Sequence, residues 1–365
     1  MKSNNLLILI SALGAAFATS CHKDGTPGNT TTSPTSSQVL DDFVSHVAQP
    51  DYGALYSNAK SFQTVADSFC SNPNAADLVA MRIYWYGMRT AYESGEAFLI
   101  GPIATQNLDP HIDSWPVAQQ QIDSVLNTNP TFNQSYIDGL PYTLKGFHVI
   151  EYLIFGRTTY SAFTAPQIAY LQAISTDLAT TIASINNSYN VSVSGNYATA
   201  LTTVPNSTYG SHKAALLDLI NSMMGICDEV GGNTSDGKIY SVFNANGPGN
   251  PDTLLQESLF SRNSWVDFKN NITGVLNVYT ATYGGNTPAS NSLSNFVGSR
   301  NLSLNNAIIT SMNNAIGSFN QVHQNFSQSV YTERTQCVVV MNAIDSLKST
   351  LNNKLVPFIN KYVTD

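Results

Sequence analysis

The segment Gly146-Phe147-His148-Val149-Ile150-Glu151 sets an imidazole and a carboxylate three residues apart, the spacing that makes two side chains neighbours on one helical face. They share a stripe with Leu144, Phe147, Ile154 and Phe155, and Gly146, Val149, Ile150 and Leu153 leave that helix no polar side. Such a helix is expected to be buried. Burial makes ionisable groups expensive, so Glu151 should meet a cation, a metal or a hydrogen-bond donor.

Imidazole and carboxylate suit iron or zinc, but a metallopeptidase needs about three protein ligands and an activated water. Val149 follows His148 and Tyr152 stands four residues on, so the segment is not the HExxH pattern. Further ligands would have to come from Glu93 and Glu96, one helical turn apart, or from Asp109, His111 and Asp113. The candidate functional set is His148, Glu151, Glu96, Asp113 and Arg89, with the first four as metal ligands. A blander use of the same residues is open. Asp113 would cap a helix, Glu96 would pair with Arg82 or Arg89, Glu93 would be solvated, and His148 and Glu151 would simply bond each other.

The elements that must position these residues are all helical, because apolar residues recur at helical spacing and no stretch alternates with period two. The class expected is all-α. One helix should open at Asn72-Pro73 and run to Ile100, a second should open around Asp113, Ser114 and Pro116, and a third should run from Pro141 to Phe155. Ile168, Leu171, Leu178, Ile182 and Ile185 form one core stripe, and Leu216, Leu219, Met223, Cys227 and Val230 another. Trp265, Phe268, Ile272, Val275 and Tyr279 mark a later helix. Cys337, Met341, Ile344, Leu351, Leu355 and Phe358 mark the last, which Pro357 should kink or end. The Gly- and Pro-rich stretch 231–252 reads as a connection, dividing the chain into helical bundles in series over 39–240 and 241–365.

Ahead of them, residues 1–20 have the basic start, short apolar run and small-residue end of an export signal. Cys21 follows where a bacterial lipoprotein is lipidated, and residues 21–38 read as a flexible tether rich in Gly, Pro, Ser and Thr. Cys70, Cys227 and Cys337 lack metal-binding spacing and read as buried thiols, although two of them could pair. With 16 Lys plus Arg against 24 Asp plus Glu, a net charge of -8, the chain has no basic surface for nucleic acid.

The GxHxxE arrangement at Gly146, His148 and Glu151 resembles the signature of the imelysin family, also called the insulin-cleaving membrane protease family. Arg89, Tyr92, Glu93, Glu96, Gly101-Pro102, Asp109, Ile112 to Pro116 and Ile122-Asp123 are similar to that family's N-terminal segment. Glu257-Ser258, Phe260-Ser261, Asp267, Asn271, Gly274 and Tyr279 resemble its second-half block, so the likeness runs over most of 39–365. The ending Lys361-Tyr362-Val363-Thr364-Asp365 departs from the Gly-Phe-Asn and Asp-Gly-Asp ending of some relatives.

The resemblance implies two packed helical bundles with the GxHxxE residues near their interface. It also implies a place among proteins associated with iron uptake, some of them classed as metallopeptidases. The expected function is a bacterial envelope lipoprotein that serves as an iron-associated binding or uptake accessory. It would be lipid-anchored in the outer membrane through Cys21, on its periplasmic or surface face, with membrane lipid and iron-uptake proteins as partners. The alternative is a metal-dependent peptidase with Glu151 as general base. A carbohydrate- or peptide-binding surface is a third possibility.

Overall fold

Helices make up every regular element of the computed structural model, which describes residues 33–128, 131–234 and 237–365; no strand occurs among them. The export signal and Cys21 lie outside the described residues.

The helices that build the site are α1 (Ser36–Phe43), α2 (Gln49–Ser71), α3 (Ala75–Gly95), α4 (Phe147–Phe155), α5 (Ala165–Tyr189), α6 (His212–Gly231), α7 (Ser264–Thr280), α8 (Leu302–Ser318) and α9 (Arg334–Thr350). Helices α2, α3, α4 and α5 pack on one another, and so do α6 with α9, α7 with α8, and α8 with α9. The two groups meet where α7 crosses α3 and where α6 covers the turn after α3. A Cβ on Gly274 of α7 would lie 2.1 Å from the Ser94 carbonyl oxygen, so the closeness of that crossing depends on glycine. Residues 33–365 form one compact unit. Helix α6 precedes the boundary expected near 240 but packs against α9, which follows it.

The expected stripes are core. Leu171, Leu178, Ile182 and Ile185 are buried on α5, as are Leu216, Leu219, Met223, Cys227 and Val230 on α6. Free thiols stand at Cys70, Cys227 and Cys337.

Boundaries differ from the sequence-based expectation for local reasons. Thr35 and Gln38 form a capping box at the start of α1, so ordered helix replaces the end of the expected tether. Asn74, not Asn72, caps α3, accepting from the Asp77 backbone N–H at 2.9 Å. Helix α3 ends at Gly95 and tightens into a 3-10 turn over Glu96–Phe98.

Asp113 follows the short helix Leu108–Ile112, and the next helix is Gln119–Thr128, so Asp113 does not open a helix. Pro357 does not end the last helix. A π-helical turn over Leu351–Leu355 precedes it and the helix continues through Val356–Tyr362. Pro50 follows a similar turn, Val44–Ala48. The wider turn absorbs a residue that cannot donate to the ladder and would clash with the preceding turn.

Candidate functional site

The helix expected from Pro141 is broken ahead of the motif. A 3-10 turn covers Tyr142–Leu144, and α4 begins only after Gly146, whose φ is +82°. A Cβ there would stand 2.3 Å from the Ile112 carbonyl oxygen. Glycine therefore serves twice, by its conformation and by letting the start of α4 rest on the backbone next to Asp113. Leu144 is buried but precedes the break, off the face of α4.

His148 and Glu151 are both 1 % exposed, with Nδ1 and Oε2 3.0 Å apart. The other Glu151 oxygen accepts from the backbone N–H groups of Phe260 (2.9 Å) and Ser261 (2.7 Å) and from the Ser261 hydroxyl (2.7 Å). Glu151 thus fastens the loop before α7 to α4 and orients the imidazole. That orientation turns Nε2 towards Asp113 Oδ1 at 3.1 Å and Glu257 Oε1 at 3.8 Å.

Behind them lies a fully buried network. Arg89 bonds Asp113, Glu93 and Glu257 and lies 3.6 Å from Asp267. Lys238 Nζ is 3.0 Å from Glu96, 3.1 Å from Glu257 and 4.0 Å from Glu93. Asn271 donates to Glu93 at 2.6 Å and also to Glu96. Ser258 (2.5 Å) and Asn263 (2.6 Å) hold Asp267.

The protonation states follow from burial set against neighbours. Burial pushes the Asp113 carboxyl up, but Arg89 and His148 outweigh it and hold the group well below the usual carboxylate range. Burial alone would lower His148, yet hydrogen bonds to Asp113 and Glu151 raise it to about 9. Burial raises Asp267 to about 7 against the pull of Arg89, and it raises Glu96 well above its ordinary value despite Lys238. Carboxylates therefore outnumber the cations built around them, and the surplus must be met by protons or by a further cation.

Asp113, His148 and Glu257 each present a ligand atom within 4.8 Å of the other two. His148 Nε2 faces Asp113 Oδ1 and Glu257 Oε1, the oxygens that Arg89 bonds, while Asp113 Oδ2 and Glu257 Oε2 are buried without a hydrogen bond, Lys238 Nζ lying 3.1 Å from the last. Unsatisfied buried oxygens beside an imidazole are costly, and a cation held there would meet them. Imidazole and carboxylate oxygens suit iron or zinc, and the Glu151–His148 bond is the kind of contact that would fix a ligating imidazole. Two other acid triplets, Glu93–Glu257–Asp267 and Glu93–Glu96–Asp113, are met by Arg89 and Lys238. Beside His148 and Glu151 a cavity of ≈ 10 Å³ is lined by Trp115, Gln119, Gln256 and Phe260 among others.

The structure brings Asp113, Arg89 and His148 together as the residue types suggested. Glu151 touches His148 from the opposite side, and its second oxygen is taken by the Phe260–Ser261 loop. Glu96 faces Lys238 and Asn271, whereas Arg82 donates to the carbonyls of Ile154 (2.9 Å) and Arg157 (2.6 Å). Glu93 is buried, not solvated. Asp109 accepts from Tyr92 at 2.5 Å and His111 pairs with Asp177 at 2.8 Å. Sequence reasoning did not assign Glu257, Asp267, Asn271 or Lys238 to the site. The first three lie in the block quoted for the family resemblance; Lys238 carries no local signal.

These features define a class: an all-helical protein with a buried carboxylate, histidine and arginine cluster where two groups of helices meet. The family model described as Imelysin, peptidase M75, matches residues 48–353, and the chain belongs to that family. Iron-regulated protein A of Synechococcus elongatus is 26% identical over 245 residues, which cover 66% of this chain and 64% of that protein. The chain therefore matches less than two thirds of that relative's length. A crystal structure assigned as an iron-regulated protein A precursor from Parabacteroides distasonis superposes with a TM-score of 0.79 at 25% identity, covering 90% of this chain and 96% of the other. An imelysin-like protein from Psychrobacter arcticum shares the fold with a TM-score of 0.71 at 14% identity, covering 90% and 97%. No helix among the described residues is long and apolar enough to cross a membrane.

Proposed function

We propose that Asp113, His148 and Glu257 bind a transition-metal cation, iron or zinc by donor type, and that the protein is an iron-associated binding or uptake accessory of the bacterial envelope. The observation that carries this reading is that Asp113, His148 and Glu257 bring ligand atoms within 4.8 Å of one another in a buried site where Asp113 Oδ2 and Glu257 Oε2 have no hydrogen bond. Relatives named as iron-regulated support iron as the biological cation. Glu151 positions His148, Arg89 holds Asp113 ionised, and a bound cation would supply the missing positive charge.

The peptidase alternative fits the geometry less well. A general base needs a free lone pair facing water, and Glu151 spends one oxygen on three donors and the other on His148. The adjoining cavity of ≈ 10 Å³ has room for about one water rather than a peptide. A lipid on Cys21 would tether the protein to the membrane, where iron-uptake proteins would be its partners; mass spectrometry of the mature N-terminus tests the anchor.

Calorimetry with zinc and with ferrous iron under anaerobic conditions tests the metal. The parent should bind, while His148→Ala and Glu257→Gln should each bind at least about tenfold more weakly with helical circular dichroism retained. Equal affinity in both variants would reject the ligand set. Chelator-sensitive proteolysis by the purified protein would restore the peptidase reading.

A further inference from the structure

Lys238 is a cation stationed beside the point where a metal's charge would fall. Its side chain is fully buried, with Nζ 3.0 Å from Glu96 Oε2 and 3.1 Å from Glu257 Oε2. Glu257 is shared, because its other oxygen faces His148 at 3.8 Å and bonds Arg89. A metal held by Asp113, His148 and Glu257 would therefore arrive against an ammonium on the same carboxylate. Like charges so close in a buried site repel strongly.

The ammonium has a contact leading outward. Glu229 Oε1 lies 3.4 Å from Nζ, and the Glu229 side chain is 39% exposed while the other three carboxylates are buried. The two residues are also joined through the backbone, where Lys238 N–H donates to the Glu229 carbonyl at 2.6 Å. Moving the charge from Glu257 to Glu229 thus requires only rotation of a flexible side chain.

We infer that Lys238 is a tethered counter-ion that competes with the metal, neutralising Glu96 and Glu257 in the metal-free protein and moving out to Glu229 when a cation binds. This rests on the metal-binding reading above. It makes metal affinity depend on a residue that is not a ligand, and it makes exposure of one amine a report of occupancy.

Amine acetylation read by mass spectrometry tests this on the wild-type protein with and without saturating zinc. Lys238 should be protected in the metal-free form and modified several-fold faster in the zinc form, with Lys60 and Lys354 unchanged as exposed references. Lys238→Met should bind zinc at least about tenfold more tightly, because the repelling charge is gone. Glu229→Gln, a surface change that should leave folding intact, should weaken zinc binding several-fold by removing the landing site. Lys238 that stays protected at saturation overturns the inference whatever the variants do, while the metal reading survives. If neither the parent nor Lys238→Met binds zinc or ferrous iron, both fall. Binding by Lys238→Met alone would overturn the movement to Glu229, leaving the lysine a fixed barrier, and would also contradict the expected binding by the parent.

Discussion

Asp51 and Asp113 are both buried aspartates, 0% and 2% exposed, yet their surroundings drive them to opposite protonation states. Asp51, on α2, has only the Tyr283 hydroxyl to pull against burial, which drives its carboxyl well above the ordinary value. Asp113 feels the same burial but sits against Arg89 and His148, which keep it ionised. Depth alone neutralises an acid; only a surrounding set of cations keeps one charged. The region that retains buried charge is also the one where Asp113, His148 and Glu257 gather.

The largest effect should come from removing the cation that makes the difference. Arg89→Met leaves Asp113, Glu93 and Glu257 without their guanidinium, and breaking such a buried network costs about 3–5 kcal/mol. Urea unfolding at pH 7 checks it. A loss under about 1 kcal/mol, the scale of an exposed pair, would mean that Arg89 does not hold the cluster charged.

A pH series on metal-free protein sharpens the contrast. The His148 pKa is raised in the fold, so its contribution to stability is complete below the unfolded value near 6.5 and is lost as pH rises through about 9. Relative to His148→Ala, the parent should lose roughly 2–3 kcal/mol over that window. A constant difference between the two proteins would show that the imidazole is not held as a cation.

Asp51→Asn should have the smallest effect, and of the opposite sign. Because its folded pKa is raised, the parent loses stability as pH climbs above the ordinary carboxylate range. The amide avoids that loss, so it should stabilise the protein at pH 7, and the gain should vanish towards pH 4. Destabilisation at pH 7 would show that Asp51 is charged and partnered after all.

The fold was largely legible in the sequence because helical periodicity and caps are local. The buried faces of α5 and α6 follow the expected stripes, and the motif's own spacing places His148 beside Glu151. Errors arose where tertiary context overrides a local rule. A π turn carries helix past Pro357, and the contact with Ile112 explains why Gly146 splits an otherwise continuous apolar pattern.

The site was legible only in half. Arg89, Asp113 and His148 stand out by type, but Glu257 and Lys238 come from segments more than a hundred residues away from Asp113, brought in by the crossing of α7 on α3 and by the loop after α6. Residue type could not tell which carboxylate orients the imidazole either. Glu151 looks like the natural partner of His148, yet its hydrogen bonds make it the group that aims the imidazole.

Anomalous X-ray scattering from crystals equilibrated with zinc would show the ligand set itself. One strong peak is expected about 2.0–2.2 Å from His148 Nε2 and from carboxylate oxygens of Asp113 and Glu257, with Glu151 still bonded to Nδ1. A peak coordinated by other residues, or none at this point under saturating zinc, would contradict it.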